Sequence, residues 1–342
     1  MQPSIPRSLL RGSSLDTTLR DGSHAVSHSF TVEQVKAIAG GLDRAGVDFI
    51  ELSHGDGIGG SSINYGFSAV DELTLLRAAS EVIKNAKLTV LLLPGVGTIE
   101  DLKRAEETGI RAVRVATHVT EADVSIQHIR YAKGKGLFVA GFLMMSHMAE
   151  PDKIVEQARI FEAEGVDYIN LADSAGYMVP DDVRRRISAL KESVSVPIGF
   201  HAHNNMGLAM GNSLAALEAG AEYIDGTCRG LGAGAGNTQI EVLCAVLNRM
   251  GYDINADIYQ MMDVASTAVE PLMRRPQVIR TDSLMLGYAG VYSSFLLHAR
   301  RAADRFGIDI KDILIELGRR GMVGGQEDMI VDVAYELSKN KL

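Results

Sequence analysis

Two short polar clusters, far apart in the sequence, carry the residue types that a divalent-metal site needs. The first contains Arg20, Asp21 and His24, and the second contains His201 and His203. Each lies at the end of a short apolar run. A carboxylate and two imidazoles are ligands for a divalent cation, while an arginine and a further histidine supply a fixed positive charge and a proton acceptor. This combination of side chains points to an enzyme.

The second cluster is a His-x-His motif on a predicted strand. Residues two apart on a strand point to the same side, so His201 and His203 can share one ion with Asp21 and leave coordination positions for water and substrate. Mixed nitrogen and oxygen ligation suits Mn²⁺, Co²⁺, Zn²⁺ or Mg²⁺. A bare His-x-His motif is equally consistent with hydrogen-bonded structure, but its place at a strand end favours the metal.

Arg20 and His24 flank the predicted ligand Asp21. An arginine there would stabilise a negatively charged enolate or carboxylate oxygen, and the alternative is a salt bridge at the strand ends. Histidine is the side chain that exchanges protons near neutral pH, so His24 is the candidate acid/base group. The alternative is a loop histidine without a role.

The elements that must position these residues alternate between short apolar runs and longer helical patterns, from about residue 13 to residue 251. The short runs predict buried parallel strands, and the longer stretches predict amphipathic helices. The predicted strands are 14–19, 47–53, 88–93, 112–116, 138–144, 168–172, 198–203 and 223–227. The clearest predicted helices are 31–45, 99–108, 151–164 and 212–219.

Eight such units match a (β/α)₈ TIM barrel, for which about 250 residues are typical, and a doubly wound sheet is the second choice. In a barrel, functional residues sit where strands end. The polar residues that fall there are Asp21, His24, Ser53, His54, Thr117, His118, Asp173, Ser174, His201 and His203.

Beyond residue 251 the strand signal fades, and helical patterns cover 258–269, 291–305, 312–318 and 327–338. We therefore expect a TIM-barrel catalytic domain at 1–251. A small all-helical C-terminal domain at 252–342 would support the barrel or contact a partner.

Composition narrows the class of protein. The net charge of −9 on 342 residues, with no long run of lysines or arginines, argues against nucleic acid or an anionic membrane as partner. No apolar stretch approaches the roughly 20 residues of a membrane span, and the N-terminus lacks a signal-peptide core. The two cysteines do not form a CxxC pair, so the sequence supports neither a disulfide framework nor a thiolate zinc site. We expect a cytoplasmic protein.

Two further patterns exclude other chemistries. An imine-forming aldolase needs a lysine inside the barrel mouth, and none is predicted there, so carbon-bond chemistry should be metal-assisted. The glycine-rich run 230–237 follows the last strand instead of opening a βαβ unit, so it does not predict an NAD site. It is expected to form a loop near the substrate or the metal, or simply to pack tightly.

Six motifs taken together resemble the 4-hydroxy-2-oxovalerate aldolases. They are Thr-Leu-Arg-Asp-Gly-Ser-His at 18–24, His-Gly-Asp-Gly at 54–57, Gly-Ser-Ser-Ile-Asn-Tyr-Gly at 60–66, Ala-Asp-Ser at 172–174, His-Ala-His-Asn-Asn at 201–205 and Gly-Tyr-Ala-Gly-Val-Tyr-Ser-Ser at 287–294. The resemblance covers nearly the whole chain. It also places the chain among metal-dependent lyases and acyl transferases that resemble isopropylmalate synthase.

The resemblance implies retro-aldol cleavage of 4-hydroxy-2-oxovalerate, or of 4-hydroxy-2-oxohexanoate, to pyruvate and acetaldehyde or propanal. Asp21, His201 and His203 would hold Mn²⁺, with Co²⁺ or Mg²⁺ as alternatives, and the ion would chelate the 2-oxo acid. Arg20 would stabilise the pyruvate enolate, His24 would take the proton from the C4 hydroxyl, and Tyr292 would orient that hydroxyl or the aldehyde. Substrate contacts would come from Arg20, Ser174, His201 and Tyr292, with 91–93 shaping the aldehyde pocket.

The resemblance also implies a partner, because such aldolases pass the aldehyde to an acylating aldehyde dehydrogenase in a hetero-oligomer. The helical tail, including 324–328, would contact it. The rival enzyme is an acyl-CoA-condensing protein similar to isopropylmalate synthase, which usually has Glu-Gln where this chain has Ser23 and His24. A structural or regulatory subunit of a dehydrogenase complex is a further alternative, but it leaves the polar clusters unexplained.

Overall fold

The computed structural model describes residues 13–339, in which eight parallel strands close into a barrel in sequence order. Each strand pairs with the next, and β8 pairs with β1. The predicted TIM barrel is confirmed, and closure excludes the doubly wound sheet. The strands are β1 Ser13–Leu19, β2 Phe49–Leu52, β3 Lys87–Leu92, β4 Ala112–His118, β5 Phe138–Met144, β6 Tyr168–Asp173, β7 Ile198–Ala202 and β8 Tyr223–Gly226.

A helix follows each strand on the outside of the barrel. In the first, Thr31 and Gln34 form a reciprocal cap, and Val35, Ile38 and Leu42 are buried against the barrel at helical spacing. The eight helices are α1 Val32–Arg44, α2 Glu72–Val82, α3 Ile99–Glu106, α4 Ile126–Gly134, α5 Pro151–Ala163, α6 Pro180–Ser193, α7 Ala209–Glu218 and α8 Ile240–Met250.

Several element boundaries differ from the predictions for local reasons. Strand β2 begins at Phe49 instead of 47, because the Val47 N–H still bonds to the Leu42 carbonyl in the turn that ends α1. Strand β4 continues through His118, since its last two residues pair with the end of β5. Strand β7 stops at Ala202, and His203 forms a separate bridge with Asn237. Helix α7 begins three residues before the predicted 212.

Helices dominate after α8, as predicted. The helix that the sequence analysis missed is α10, because its segment Leu284–Ala289 has no clear polar face; the helix predicted from 291 begins only at Phe295. Residues such as Leu286, Phe295 and Leu314 form a separate buried core. The elements are α9 Ile258–Asp263 with a π-helical turn Val264–Val269, α10 Thr281–Ala289, α11 Phe295–Phe306, α12 Ile310–Arg319 and α13 Met329–Lys339.

The division into domains at residue 251 stays a prediction. The turn after α9 packs against the barrel core through Val264 and Val269. The two predicted domains extend into 1–12 and 340–342, which lie outside the described residues. The prediction that the N-terminus lacks a signal peptide concerns the same undescribed N-terminal residues. No helix within residues 13–339 is long and apolar enough to cross a membrane.

The barrel interior is layered, because alternate residues of each strand point inward. Phe49, Phe138 and Tyr223 fill the end away from the predicted site. Arg114 lies on β4, two residues beyond the position that pairs with the aromatic layer. Its charged side chain is buried in the middle of the barrel. Above it, Phe142 belongs to a small apolar cluster. The predicted site residues therefore rest on a charged layer inside the barrel.

Candidate active site

Asp21, His201 and His203 meet at the strand ends of the barrel. Asp21 opens the short 3₁₀ turn Asp21–His24 that follows β1, and one of its carboxylate oxygens, Oδ2, lies 3.6 Å from Nε2 of each histidine. All three side chains are buried. The structure thus brings the predicted ligand set together, and one carboxylate with two imidazoles at this spacing fits a divalent ion with open positions.

The glycine-rich run 230–237 lies against Asp21, near the predicted ligands as expected. The Ala233 N–H and the Asn237 side-chain amide donate to the other Asp21 oxygen, Oδ1, at 3.2 and 3.0 Å. A Cβ atom on Gly232 would lie 2.1 Å from Nδ2 of Asn237 and 2.7 Å from that same oxygen. Only glycine therefore allows the loop to come this close.

Arg20 is held from two sides. Its Nη1 donates to Oδ2 of Asp21 at 2.9 Å, and its Nε donates to Oε2 of Glu51 at 2.7 Å. Beneath it, Arg114 donates to both Glu51 oxygens at 2.7 and 2.8 Å and also bonds to Asp225. The salt bridge considered from the sequence is present, and it fixes the Arg20 guanidinium in one orientation.

The charged layer continues to His201. The Nδ1 atom of His201 lies 2.9 Å from Asp225. Burial acts to raise the pKa of Asp225, but Arg114 and His201 hold this pKa below its ordinary value. At Glu51, burial has the same effect, and Arg114 and Arg20 outweigh it and lower the pKa. The layer therefore places three carboxylates, Asp21, Glu51 and Asp225, against two guanidinium groups and the His201 imidazole.

A pocket opens over these residues and is lined by all the predicted catalytic and substrate-binding side chains. Of the other polar residues predicted at strand ends, Ser53, His54, Thr117, His118 and Asp173 do not line it. Of the predicted 91–93, only Leu91 lines it. Leu93 is partly buried and packs against the small apolar cluster that contains Leu91, and Leu92 belongs to the main barrel core. The lining residues are Arg20, Asp21, His24, Leu91, Phe142, Met144, Ser174, His201, His203, Ala233, Tyr292, Ser293 and Ser294.

The C-terminal helices contribute Tyr292 through the loop between α10 and α11. Ser293 fastens this loop to the barrel, because its N–H and hydroxyl donate to the Ser174 carbonyl at 3.3 and 2.7 Å. The Asn205 amide donates to the Ser293 hydroxyl at 2.9 Å. Burial raises the pKa of Tyr292, so its phenol stays protonated and can donate a hydrogen bond.

His24 lies in a cluster of three histidines that the sequence analysis did not identify. The His28 ring stacks on His54 with centroids 3.8 Å apart, and it meets His24 edge-on at 5.1 Å. Ser27 and His28 both have φ of 55°, an unusual conformation for two successive residues other than glycine. A Cβ atom on Gly55 would lie 2.4 Å from Nε2 of His24. In the sequence, the available indication of this histidine cluster was the His-Gly-Asp-Gly motif at 54–57.

Residues 13–268 match the HMGL-like family, and residues 277–339 match the DmpG-like communication domain. The chain is 64% identical to the 4-hydroxy-2-oxovalerate aldolase of Moorella thermoacetica, over 96% of its own length and 97% of that protein. The corresponding protein of Carboxydothermus hydrogenoformans is 63% identical over 95% and 97%. The chain belongs to this aldolase family. It is a carbon–carbon lyase.

Solved structures similar to this aldolase family member share its fold. The N-terminal domain of a putative aldolase from Bacteroides vulgatus has a TM-score of 0.72 at 23% identity, covering 83% of this chain and 95% of that one. The carboxyl transferase domain of Rhizobium etli pyruvate carboxylase has a TM-score of 0.82 at 18% identity, covering 98% and 61%. At these identities the likeness concerns the fold alone.

Proposed function

We propose that this enzyme cleaves 4-hydroxy-2-oxovalerate to pyruvate and acetaldehyde, using a divalent cation held by Asp21, His201 and His203. The observation that carries the proposal is the convergence of this ligand set with Arg20, His24 and Tyr292 in one pocket. Mn²⁺ is the preferred candidate, with Co²⁺ or Mg²⁺ as alternatives. The full-length relatives carry the name of this reaction.

The pyruvate half of the substrate binds against the ligand set and Arg20, which contact each other directly through Asp21. A cation bound there would supply Lewis-acid polarisation of the 2-oxo group. Arg20 then stabilises the negative charge that develops on the C2 oxygen, and its contact with Glu51 keeps the guanidinium in place before the reaction begins. Ser174 and His201 contribute contacts to the same end of the substrate.

The bond-breaking step needs one base and consumes no co-reactant. His24 takes the proton from the C4 hydroxyl while Tyr292 hydrogen-bonds to that oxygen. The C3–C4 bond breaks, its electron pair passes into the pyruvate enolate, and acetaldehyde leaves. His24 then returns the proton to C3, which gives pyruvate and restores the base.

The aldehyde end of the pocket is apolar, with Leu91, Phe142 and Met144 in its wall. One methylene in such a pocket changes selectivity by only about 1–3 kcal/mol. We therefore extend the proposal to 4-hydroxy-2-oxohexanoate, which yields pyruvate and propanal. The ratio of kcat/KM for the two substrates measures this preference.

The proposed partner is an acylating aldehyde dehydrogenase that receives the aldehyde within a hetero-oligomer. The match of residues 277–339 to a communication domain supports it. Helix α10 also exposes Leu284 and Tyr288, one turn apart. Tyr288→Asp should weaken association with such a dehydrogenase, measured by light scattering of the mixture. Tyr259→Asp, at an exposed tyrosine on α9, is the matched control, and equal effects of both variants would contradict this docking face.

The first test of the reaction is pyruvate release from 4-hydroxy-2-oxovalerate by chelator-stripped protein, with and without Mn²⁺, Co²⁺ or Mg²⁺. We expect pyruvate release only when a cation is added. The variant His203→Asn should need a higher cation concentration for the same rate. Release of free thiol from acetyl-CoA and a 2-oxo acid would instead support the acyl-CoA-condensing alternative. No pyruvate with any of the three cations would overturn the proposal.

A further inference from the structure

A second set of ligand-type side chains lies beside the first and shares no residue with it. His24, His28 and Asp56 each offer one atom, and these atoms all lie within 4.8 Å of one another. His24 and His28 come from the loop after β1, and Asp56 comes from the loop after β2. We propose that the three form a second divalent-cation site, suited to Zn²⁺, whose occupation blocks His24.

The first argument is the Asp56 carboxylate, which is buried without a proton donor. Within residues 13–339 no N–H or O–H group donates a hydrogen bond to it, and the nearest basic nitrogen is Nδ1 of His54 at 3.5 Å. That nitrogen accepts the Asp56 backbone N–H at 3.2 Å, while Nε2 of His54 lies 3.1 Å from the Gly66 carbonyl. Nδ1 of His54 therefore has no proton to donate to the carboxylate. A buried charge in this position favours a cation.

The second argument is the hydrogen bond of His28. Its Nδ1 lies 2.9 Å from the Ser23 hydroxyl, which leaves Nε2 as the ligand atom. A histidine whose second ring nitrogen is hydrogen-bonded is the usual form of a metal-binding histidine.

The chemistry of the set selects the cation. Two imidazoles and one carboxylate are a zinc ligand set, whereas Mg²⁺ and Ca²⁺ prefer oxygen ligands. Zinc bonds of about 2.0–2.2 Å hold ligand atoms at most about 4 Å apart, so the set closes by a movement of less than about 1 Å. Zn²⁺ also binds nitrogen ligands more tightly than Mn²⁺ does.

The functional consequence rests on the proposed role of His24 as the base. A histidine that coordinates a cation has no free lone pair for the C4 hydroxyl proton. Zn²⁺ at this second site should therefore inhibit cleavage even when the catalytic cation is in place. Binding itself does not depend on that role, so it is measured separately.

The binding experiment titrates chelator-stripped protein with Zn²⁺ in competition with a chromophoric chelator. We expect two equivalents for the unmodified protein and one for Asp21→Asn. His28→Asn removes Nε2, places an amide where Nδ1 meets Ser23, and keeps a residue type that tolerates positive φ. This variant and Asp56→Asn should each lower the affinity for the second Zn²⁺ equivalent by at least about tenfold. The control variant His128→Asn, on α4, should still bind two equivalents of Zn²⁺. Two unchanged equivalents in both site variants would overturn the proposal, as would a single equivalent in the unmodified protein.

The inhibition experiment follows pyruvate release at saturating Mn²⁺ as Zn²⁺ is added. We expect His28→Asn to keep its basal rate and to require at least about tenfold more Zn²⁺ for half-inhibition. Equal inhibition of both proteins would place Zn²⁺ in the first site and would contradict the blocking of His24. If no protein releases pyruvate before Zn²⁺ is added, the proposed function fails, while the titration still decides whether the site exists.

Discussion

The Nδ1 atom of His201 lies 2.9 Å from a carboxylate oxygen of Asp225, while Nε2 of the same ring lies 3.6 Å from Asp21. Because Asp225 accepts the Nδ1 proton, the Nε2 lone pair is directed towards the predicted cation site. Arg114 in turn holds Asp225. This carboxylate–histidine arrangement would fix both the tautomer and the orientation of His201 as a predicted metal ligand.

Asp225→Asn should therefore lower the affinity for Mn²⁺ by about 10- to 100-fold. The amide still fills the space but no longer provides a charged acceptor for the Nδ1 proton. Calorimetric titration of chelator-stripped protein with Mn²⁺ measures the change. Asp173→Asn is the matched control, because Asp173 is equally buried but accepts the N–H groups of Tyr177 and Met178. An unchanged affinity in Asp225→Asn would contradict the orienting role.

Arg20→Ala should reduce kcat/KM for cleavage by about 10²- to 10³-fold, equivalent to about 3–4 kcal/mol. The variant removes the guanidinium that is positioned before the charge develops on the substrate. Steady-state kinetics at saturating Mn²⁺ measure the loss, and Arg20→Lys tests whether charge alone suffices. Full activity in Arg20→Ala would contradict this charge-stabilising role.

His24→Asn should lower kcat by about 10²- to 10⁴-fold, the usual contribution of a positioned acid/base group. The ligands Asp21, His201 and His203 are untouched, so Mn²⁺ affinity at that site should stay the same. Rapid-quench measurement of pyruvate formation isolates the bond-breaking step. A loss of Mn²⁺ binding that parallels the loss of kcat would point to misfolding of the loop instead.

Arg114→Met should destabilise the fold by about 3–5 kcal/mol, because it leaves Glu51 and Asp225 buried without their shared cation. Urea unfolding followed by circular dichroism gives the free energy of unfolding. The exposed pair Arg130 and Glu164 provides a contrast, and Arg130→Met should leave that free energy nearly unchanged. Equal effects of the two substitutions would show that the buried layer does not depend on Arg114.

Asp16 should make stability decrease as pH rises. Burial raises its pKa to about 7, whereas an unfolded aspartate titrates near 3.9. Between about pH 4 and pH 7 the native state therefore holds a proton that the unfolded state has released, and the stabilisation is lost as pH rises. Relative to Asp16→Asn, the native protein should lose about 2–4 kcal/mol between pH 4.5 and pH 8. Parallel pH profiles of unfolding free energy would contradict this.

The barrel was predictable because buried parallel strands leave short apolar runs. The proximity of His201 and His203 was predictable because residues two apart at a strand end point to the same side. The buried charged layer of Glu51, Arg114 and Asp225 could not be predicted. Each is a single charge inside an apolar run, and nothing local shows that it points into the barrel. Their pairing joins three strands far apart in the sequence, so only the closed barrel reveals it.

The attachment of Ser293 to Ser174 has a consequence for the order in which a newly made chain becomes active. All eight strands lie before residue 227, so the strands of the barrel are synthesised before the loop that carries Tyr292. The wall that Tyr292 provides is added when Ser293 bonds to the Ser174 carbonyl. On the proposed mechanism, catalysis begins only once this loop has been made and has docked on the barrel.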